Sequence, residues 1–361
     1  MRPWAMLFLM SWTTLLSAQT LPQRVHGVEQ VLEQLVEAYG VSGMEGPVRE
    51  TVKRLLPSGL QTETDSAGNL WLTLGKGEPT VVFVAHLDEI GFQVSGIRED
   101  GTLDLTPMGG LFLSLWEAKP ALVHTGRASI NGVFMPRDSV AGEPRRTPPA
   151  LRADVGTDSR AATEGMGIRT GHTVTMPKEY VRLAGTRATG RSFDDRVGSA
   201  AQVLAVRQLN PARLKHTVIF LWSVREEIGL EGARAAAKAL GLRPARVHAI
   251  DTFVSADSPL EPQNFAVAPL GRGAVARALD NSSVTPPALL DSLISLARAG
   301  RIPLQVGTTN GGNDGSVFSG YGVPNVPIGW PLRYSHSPAE TIDLRDVVSL
   351  ADMIQAVTER W

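Results

Sequence analysis

Glu226 and Glu227 are adjacent carboxylates at the end of an apolar run, residues 216–224, in which β-branched and aromatic side chains follow one another without polar alternation. Such a run reads as a buried strand, closed by the turn at Ile228-Gly229. Both acids therefore lie at a strand's carboxyl end, the edge where open α/β sheets bind ligands. Two neighbouring carboxylates cannot cheaply both remain bare anions, so a cation shares the site or one acid holds a proton. The plain alternative is a solvated pair at the start of a helix over residues 230–240, where negative charge is favourable. Other strand ends carry related groups: His86 and Asp88 after 80–85, Asp251 after 245–250, and His336 after 326–333, while Asp194-Asp195 opens a helix over 197–209. Singly, Asp194 and Asp195 can be helix N-caps, Asp251 a loop residue, and His86 or His336 a hydrogen-bonded core imidazole. Gathered at one sheet edge, two histidines and several carboxylates match a pair of divalent ions, zinc, cobalt or manganese, bridged by one carboxylate. Sites of that kind activate water and polarise a carbonyl.

The elements that must position these groups are legible from periodicity. Residues 25–39 place Val28, Val31, Leu32, Leu35 and Val36 at helical spacing before Gly40, and a second helix over 47–56 starts at Pro47 and stops before Pro57. Strands follow at 70–74 and 80–85. From about 91 to 191 the texture changes to short β-like runs separated by glycines, at 91–97, 101–106, 121–125, 128–134, 172–176 and 180–183, with one short helical stretch at 159–166. Residues 136–149, rich in Pro, Arg, Gly and Ser, read as a loop within it. Beyond Asp195 helix and strand alternate again, with helices at 286–299 and 345–361. The expected fold class is therefore α/β, a mostly parallel sheet flanked by helices on both faces, with residues 91–190 inserted as a small β-rich domain between the halves 19–90 and 191–361 of a single α/β domain.

Composition narrows the chemistry. The chain has 361 residues, a formal net charge of -1 and no cysteine. The charge balance gives no electrostatic affinity for nucleic acid or an anionic membrane. Without cysteine there are no disulfides, thiolate metal sites or cysteine nucleophiles, so any metal ligands must be His, Asp and Glu. His26, His124, His172, His216 and His248 read as structural, and no serine lies in a nucleophile-elbow pattern. Residues 1–18 carry one positive charge, an apolar stretch and a small-residue end, the pattern of a secretory signal peptide; it is short for a membrane span, and the mature chain is expected to be exported, periplasmic or extracellular.

Six segments in order carry a family resemblance: Val84-Ala-His86-Leu-Asp88-Glu-Ile-Gly-Phe92, Gly190-Arg-Ser-Phe-Asp194-Asp-Arg-Val-Gly198, Ser223-Val-Arg-Glu226-Glu227-Ile-Gly-Leu-Glu-Gly-Ala233, Ala249-Ile-Asp251-Thr252, Gly311-Gly-Asn-Asp314 and Tyr334-Ser-His336-Ser-Pro-Ala-Glu340. Over about residues 25–361 the chain resembles the M42 family of dinuclear metalloaminopeptidases, that of the tetrahedral aminopeptidases. The resemblance implies two divalent ions per subunit, zinc or cobalt, with Asp194 bridging them, His86 and Asp251 completing one site, Glu227 and His336 completing the other, Glu226 as general base, and Asp88 orienting His86. It also implies a β-barrel insert that mediates dimerisation, a homodimer or larger homo-oligomer, and peptide substrates. Asp195 stands where some relatives have Asn, Arg225 where Gln is common, and export sets the chain apart from relatives that resemble cytosolic assemblies. The expected function is an exported, metal-dependent aminopeptidase. A related dinuclear amide hydrolase, such as a carboxypeptidase or deacylase, would need a free carboxylate or an acyl group on its substrate. A metal- or peptide-binding module without turnover is disfavoured because Glu226 is present.

Overall fold

Alternating side chains of a strand point to opposite faces, and the strand ending at His86 is buried on both. In the computed structural model of the chain, which describes residues 19–137, 150–255, 257 and 267–361, its Val81, Phe83 and Ala85 join one apolar cluster while Val82 and Val84 join another. A continuous apolar run, rather than an alternating one, is the sequence form of such a strand. The signal-peptide segment, residues 1–18, and most of the loop 136–149 lie outside the described residues.

The chain begins with α1 (Leu21–Glu37) and α2 (Gly46–Leu55), then β1 (Thr62–Thr64), β2 (Leu70–Leu74) and β3 (Thr80–His86). The β-rich stretch supplies β4 (Gly91–Ile97), β5 (Leu103–Met108), β6 (Pro120–His124), β7 (Ser129–Phe134), β8 (Arg152–Asp154), the short helix α3 (Arg160–Gly165) and β9 (Thr173–Thr175). After β10 (Val181–Arg182) and β11 (Arg187–Gly190) come α4 (Phe193–Gln208), β12 (Thr217–Ser223), α5 (Glu231–Leu240), β13 (Pro244–Val254), β14 (Ala274–Leu279), α6 (Pro287–Gly300), β15 (Leu304–Thr308), β16 (Ile328–Leu332), β17 (Glu340–Asp343) and α7 (Leu344–Arg360).

The result is a mixed α/β architecture. Eight strands form one sheet in the order β1-β2-β12-β3-β13-β16-β14-β15. Its centre, β12-β3-β13-β16, is parallel, whereas β1, β2 and the β14–β16 pair run antiparallel to their neighbours. The cluster holding Val81 and Phe83 includes residues of α1, α2, α4 and α7, and that holding Val82 and Val84 includes Ala236, Ala237 and Leu240 of α5. Strands β4-β5-β8-β7-β6-β9 close into a barrel with its own core. There Phe92 and Phe134 meet Trp116 edge-on, with centroids 5.1 and 5.4 Å away. The run 180–183, read with the barrel strands, instead joins a separate sheet, β10-β11-β17. That sheet ties the segment leaving the barrel to the chain's last strand.

One buried carboxylate fastens these parts. Glu89, just beyond β3, accepts from Lys178 at 2.7 Å and from the Gly40 amide at 2.8 Å, and bonds the Ser192 hydroxyl; Arg191 and Arg196 lie at 3.4 and 3.7 Å. Burial alone would raise its pKa, but Lys178, Arg191 and Arg196 outweigh burial and hold it far below the usual carboxylate range. Removing one partner of such a group leaves uncompensated buried charge, here three cations. Glu89→Gln is expected to lower the unfolding free energy by about 3–5 kcal/mol in urea titrations at neutral pH. Because the folded pKa is depressed, this contribution is present above the unfolded value of about 4.3 and is lost as pH falls. The gap between wild type and variant should therefore narrow in acid. A gap of equal size at pH 7 and pH 3 would contradict the account.

Candidate active site

His86 is the last residue of β3, and the loop carrying Glu226 and Glu227 follows its parallel neighbour β12. Asp251 lies inside β13 rather than after it, because pairing with β16 continues from Ile250 to Val254. His336 is in the loop between β16 and β17. Asp194 is counted with α4 but has extended backbone angles, and so does not belong to its regular helical turns. Its neighbour Asp195 takes the helix-start role, accepting from the Gly198 amide at 2.9 Å and from the His86 amide at 3.0 Å. The capping and functional readings of the Asp194-Asp195 pair thus divide between the two residues.

His86, Asp194, Glu226, Glu227, Asp251 and His336 all line one cavity of about 510 Å³. Asp194 faces both imidazoles: its Oδ1 is 3.0 Å from His86 Nε2 and its Oδ2 is 3.5 Å from His336 Nε2. His336 Nε2 is also 3.5 Å from Glu227 Oε2. Ligand atoms of His86, Asp194 and Glu227 lie within 4.8 Å of one another. Each imidazole uses its other nitrogen elsewhere, His86 Nδ1 toward Asp88 (Oδ1 at 3.3 Å, carbonyl at 3.2 Å) and His336 Nδ1 to the Gly110 carbonyl at 2.7 Å. Both Nε2 atoms are thereby turned to the cavity.

Asp88 does more than hold His86. Its Oδ1 accepts from the Glu226 amide at 2.9 Å, and its Oδ2 from the Glu227 amide at 3.1 Å and the Ser42 hydroxyl at 2.6 Å. One carboxylate therefore sets the positions of a histidine and both glutamates. Arg225, immediately before them, has a left-handed backbone (φ 55°) that turns the loop away from the strand direction.

Buried carboxylates crowd the cavity and shift one another's titration. Desolvation, opposed by His86 and His336 and helped by neighbouring carboxylates, raises Glu226 well above its ordinary value and Glu227 to about 7. Burial with Asp194 nearby pushes Asp251 up to about 6 against Arg277, and burial raises Asp314 to about 7 and Glu340 to about 8. Burial alone would depress His86 and His336, but the facing carboxylates outweigh it and raise both. Asp194 moves the other way, since the two imidazoles more than offset its burial. Among the described residues the buried Glu227 Oε1 has no hydrogen-bond partner. Imidazole and carboxylate donors converging around excess negative charge, with one carboxylate oxygen left over, fit hard or borderline divalent cations.

The M42 glutamyl aminopeptidase family model matches residues 68–353 of this chain. The chain belongs to the M42 peptidase family. It is 31% identical over 343 residues to the lysyl aminopeptidase of Pyrococcus furiosus, covering 91% of this chain and 96% of the relative. The glutamyl aminopeptidase of Lactococcus lactis is 27% identical over 347 residues, with 90% and 94% covered. Among solved structures, the Pyrococcus horikoshii TET1 peptidase superposes with a TM-score of 0.85 at 31% identity, covering 92% of this chain and all of that one. As an M42 aminopeptidase the chain is a hydrolase of peptide bonds.

Every residue singled out from the sequence for this M42 site lies at the cavity or, for Asp88, directly behind it. Sequence reasoning missed the Gly110 carbonyl, Ser42, and Arg277, whose Nη1 lies 3.8 Å from Asp251 Oδ2. It also gave no role to Asp314 or Glu340, although both fall inside quoted motifs. His248, read as structural, is buried away from the cavity and bonds the Val326 carbonyl at 2.9 Å.

Proposed function

We propose that the chain is a two-metal aminopeptidase in which Asp194 bridges the ions, His86 and Asp251 complete one site, Glu227 and His336 the other, and Glu226 is the general base. The observation that carries this reading is the Asp194 carboxylate, with one oxygen toward His86 Nε2 and the other toward His336 Nε2. Zinc or cobalt bound there would acidify water and polarise the scissile carbonyl. Glu226 accepts a proton from the attacking water and returns it to the leaving amine. Asp88 keeps Glu226 and Glu227 aimed by holding their amides.

Asp88, Asp194, Glu226, Glu227 and Asp251 set five carboxylates against two divalent ions, and a low-dielectric cleft focuses the remaining negative potential. A free α-ammonium suits that field, whereas an N-acyl group brings no charge and adds bulk where the chain should end. Cleavage is expected to fall to background when a short peptide is N-acetylated, in paired assays with zinc or cobalt at neutral pH. A deacylase would show the reverse preference, and equal rates would sink the aminopeptidase reading of this site.

The reading extends to assembly and location. Solved relatives include a dodecameric TET1 and one reported to form a tetrahedron or a large octahedral shell. Exposed Val133 and Met166 on the barrel segment support self-association of this chain through residues 91–190. Sedimentation velocity of the full chain tests this, and a monomer would refute it. Export rests on residues 1–18 alone. Among the described residues no helix is long and apolar enough to cross a membrane. N-terminal sequencing of the mature protein checks the cleavage, and an intact Met1 would remove the proposal.

A further inference from the structure

Glu340 is almost wholly buried at the start of β17 and is not among the residues that line the cavity. Its two oxygens instead reach two backbone amides far apart in sequence: Oε1 accepts from His336 at 3.0 Å, and Oε2 accepts from Asp194 at 3.3 Å. The topology explains how one side chain meets both. Glu340 pairs with Gly190 in the β11–β17 ladder, so it sits beside the segment that runs from β11 into Asp194. Arg333 and Thr341 exchange backbone hydrogen bonds at 3.0 and 3.1 Å, closing the base of the loop that presents His336.

That loop needs an external hold. Tyr334 and His336 both adopt left-handed backbone angles, φ 61° and 58°, which are unfavourable for non-glycine residues. Next to its functional side chain the loop is tied down at the His336 amide and through the Nδ1 contact to the Gly110 carbonyl.

We propose that Glu340 is a positioning residue that clamps the backbones of Asp194 and His336 at a fixed separation, and so presets the metal-binding geometry. The inference rests on Asp194 and His336 being ligands. Glu340→Gln keeps length and volume but replaces one of the two acceptors by an NH2 group. Glu340→Asp keeps the charge and both acceptors but is one methylene too short to span the two amides. If the clamp is what matters, both variants lose it; if only negative charge matters, the aspartate retains function.

The test is cobalt titration of the metal-free full chain, followed by visible absorption and chelator competition, with urea unfolding of the metal-free proteins alongside. Supporting residues of metal ligands typically contribute 10–100-fold in affinity. Both variants are expected to fold in the metal-free state, to bind cobalt about 10–100-fold more weakly with an altered spectrum, and to regain most of kcat in excess cobalt because every ligand side chain remains. Wild-type protein binding two cobalt ions, with Glu340→Gln binding both at unchanged affinity and spectrum, would overturn the clamp while leaving the metal assignment standing. Wild type binding no cobalt would overturn both. Retained affinity in Glu340→Asp alone, or failure of both variants to fold without metal, would reduce Glu340 to a charge or a structural residue and equally refute the clamp.

Discussion

Replacing Glu226 by glutamine is expected to lower kcat by about 10²- to 10⁴-fold, the usual loss when a positioned general base is removed. Metal content and the urea midpoint should stay near wild type. Glutamine is isosteric, and the loop's position depends on the Glu226 amide rather than its carboxylate, since that amide donates to Asp88 Oδ1 at 2.9 Å. KM should change little, because the loss falls on a proton transfer made in the transition state. Metal analysis and steady-state kinetics on the same preparation decide it. Near-normal kcat would remove Glu226 from its role, whereas loss of metal together with activity would make it a ligand.

Asp194→Asn should cost metal as well as turnover. Its two oxygens face both imidazoles, so a neutral amide weakens the cluster on both sides at once. Metal content is expected to fall at both sites. Divalent ions held there would supply several kcal/mol of transition-state stabilisation, and a loss of about 4 kcal/mol corresponds to roughly 10³-fold in rate. Excess cobalt should restore only a small part, since an amide oxygen and an NH2 group cannot bridge two cations. The measurement is metal stoichiometry after dialysis, paired with activity across a cobalt series. Two ions retained at wild-type affinity would show that Asp194 does not bridge them.

The strand ends were legible because their residues follow a physical rule. Apolar runs at 80–85 and 216–224 had to be buried strands, and polar residues at their carboxyl ends had to fall at the ligand-binding edge. Asp251 was identified by the same logic although β13 extends past it, since that extension depends on a partner strand and not on local sequence. β14 and β15 were not read at all. Residues 274–279, Ala-Val-Ala-Arg-Ala-Leu, are as compatible with helix as with strand, and pairing with β16 and β15 decides the matter. Likewise the run 180–183 has strand character in sequence, but only its pairing with β11 separates it from the barrel.

By itself, then, the sequence determined the chemical inventory: no thiols, two histidines and a set of carboxylates at strand ends, and an α/β frame interrupted by β-rich texture. Tertiary structure decided everything that depends on two distant segments meeting. It decided that Asp194 faces both imidazoles while Asp195 caps a helix, that Asp88 holds both glutamate amides, that Glu89 gathers Lys178, Arg191 and Arg196, and that Glu340 reaches Asp194 and His336. The physical reason is range. Periodicity and turn chemistry act over a few residues, whereas a buried carboxylate takes its role from whichever donors the packed chain brings within about 3 Å of it.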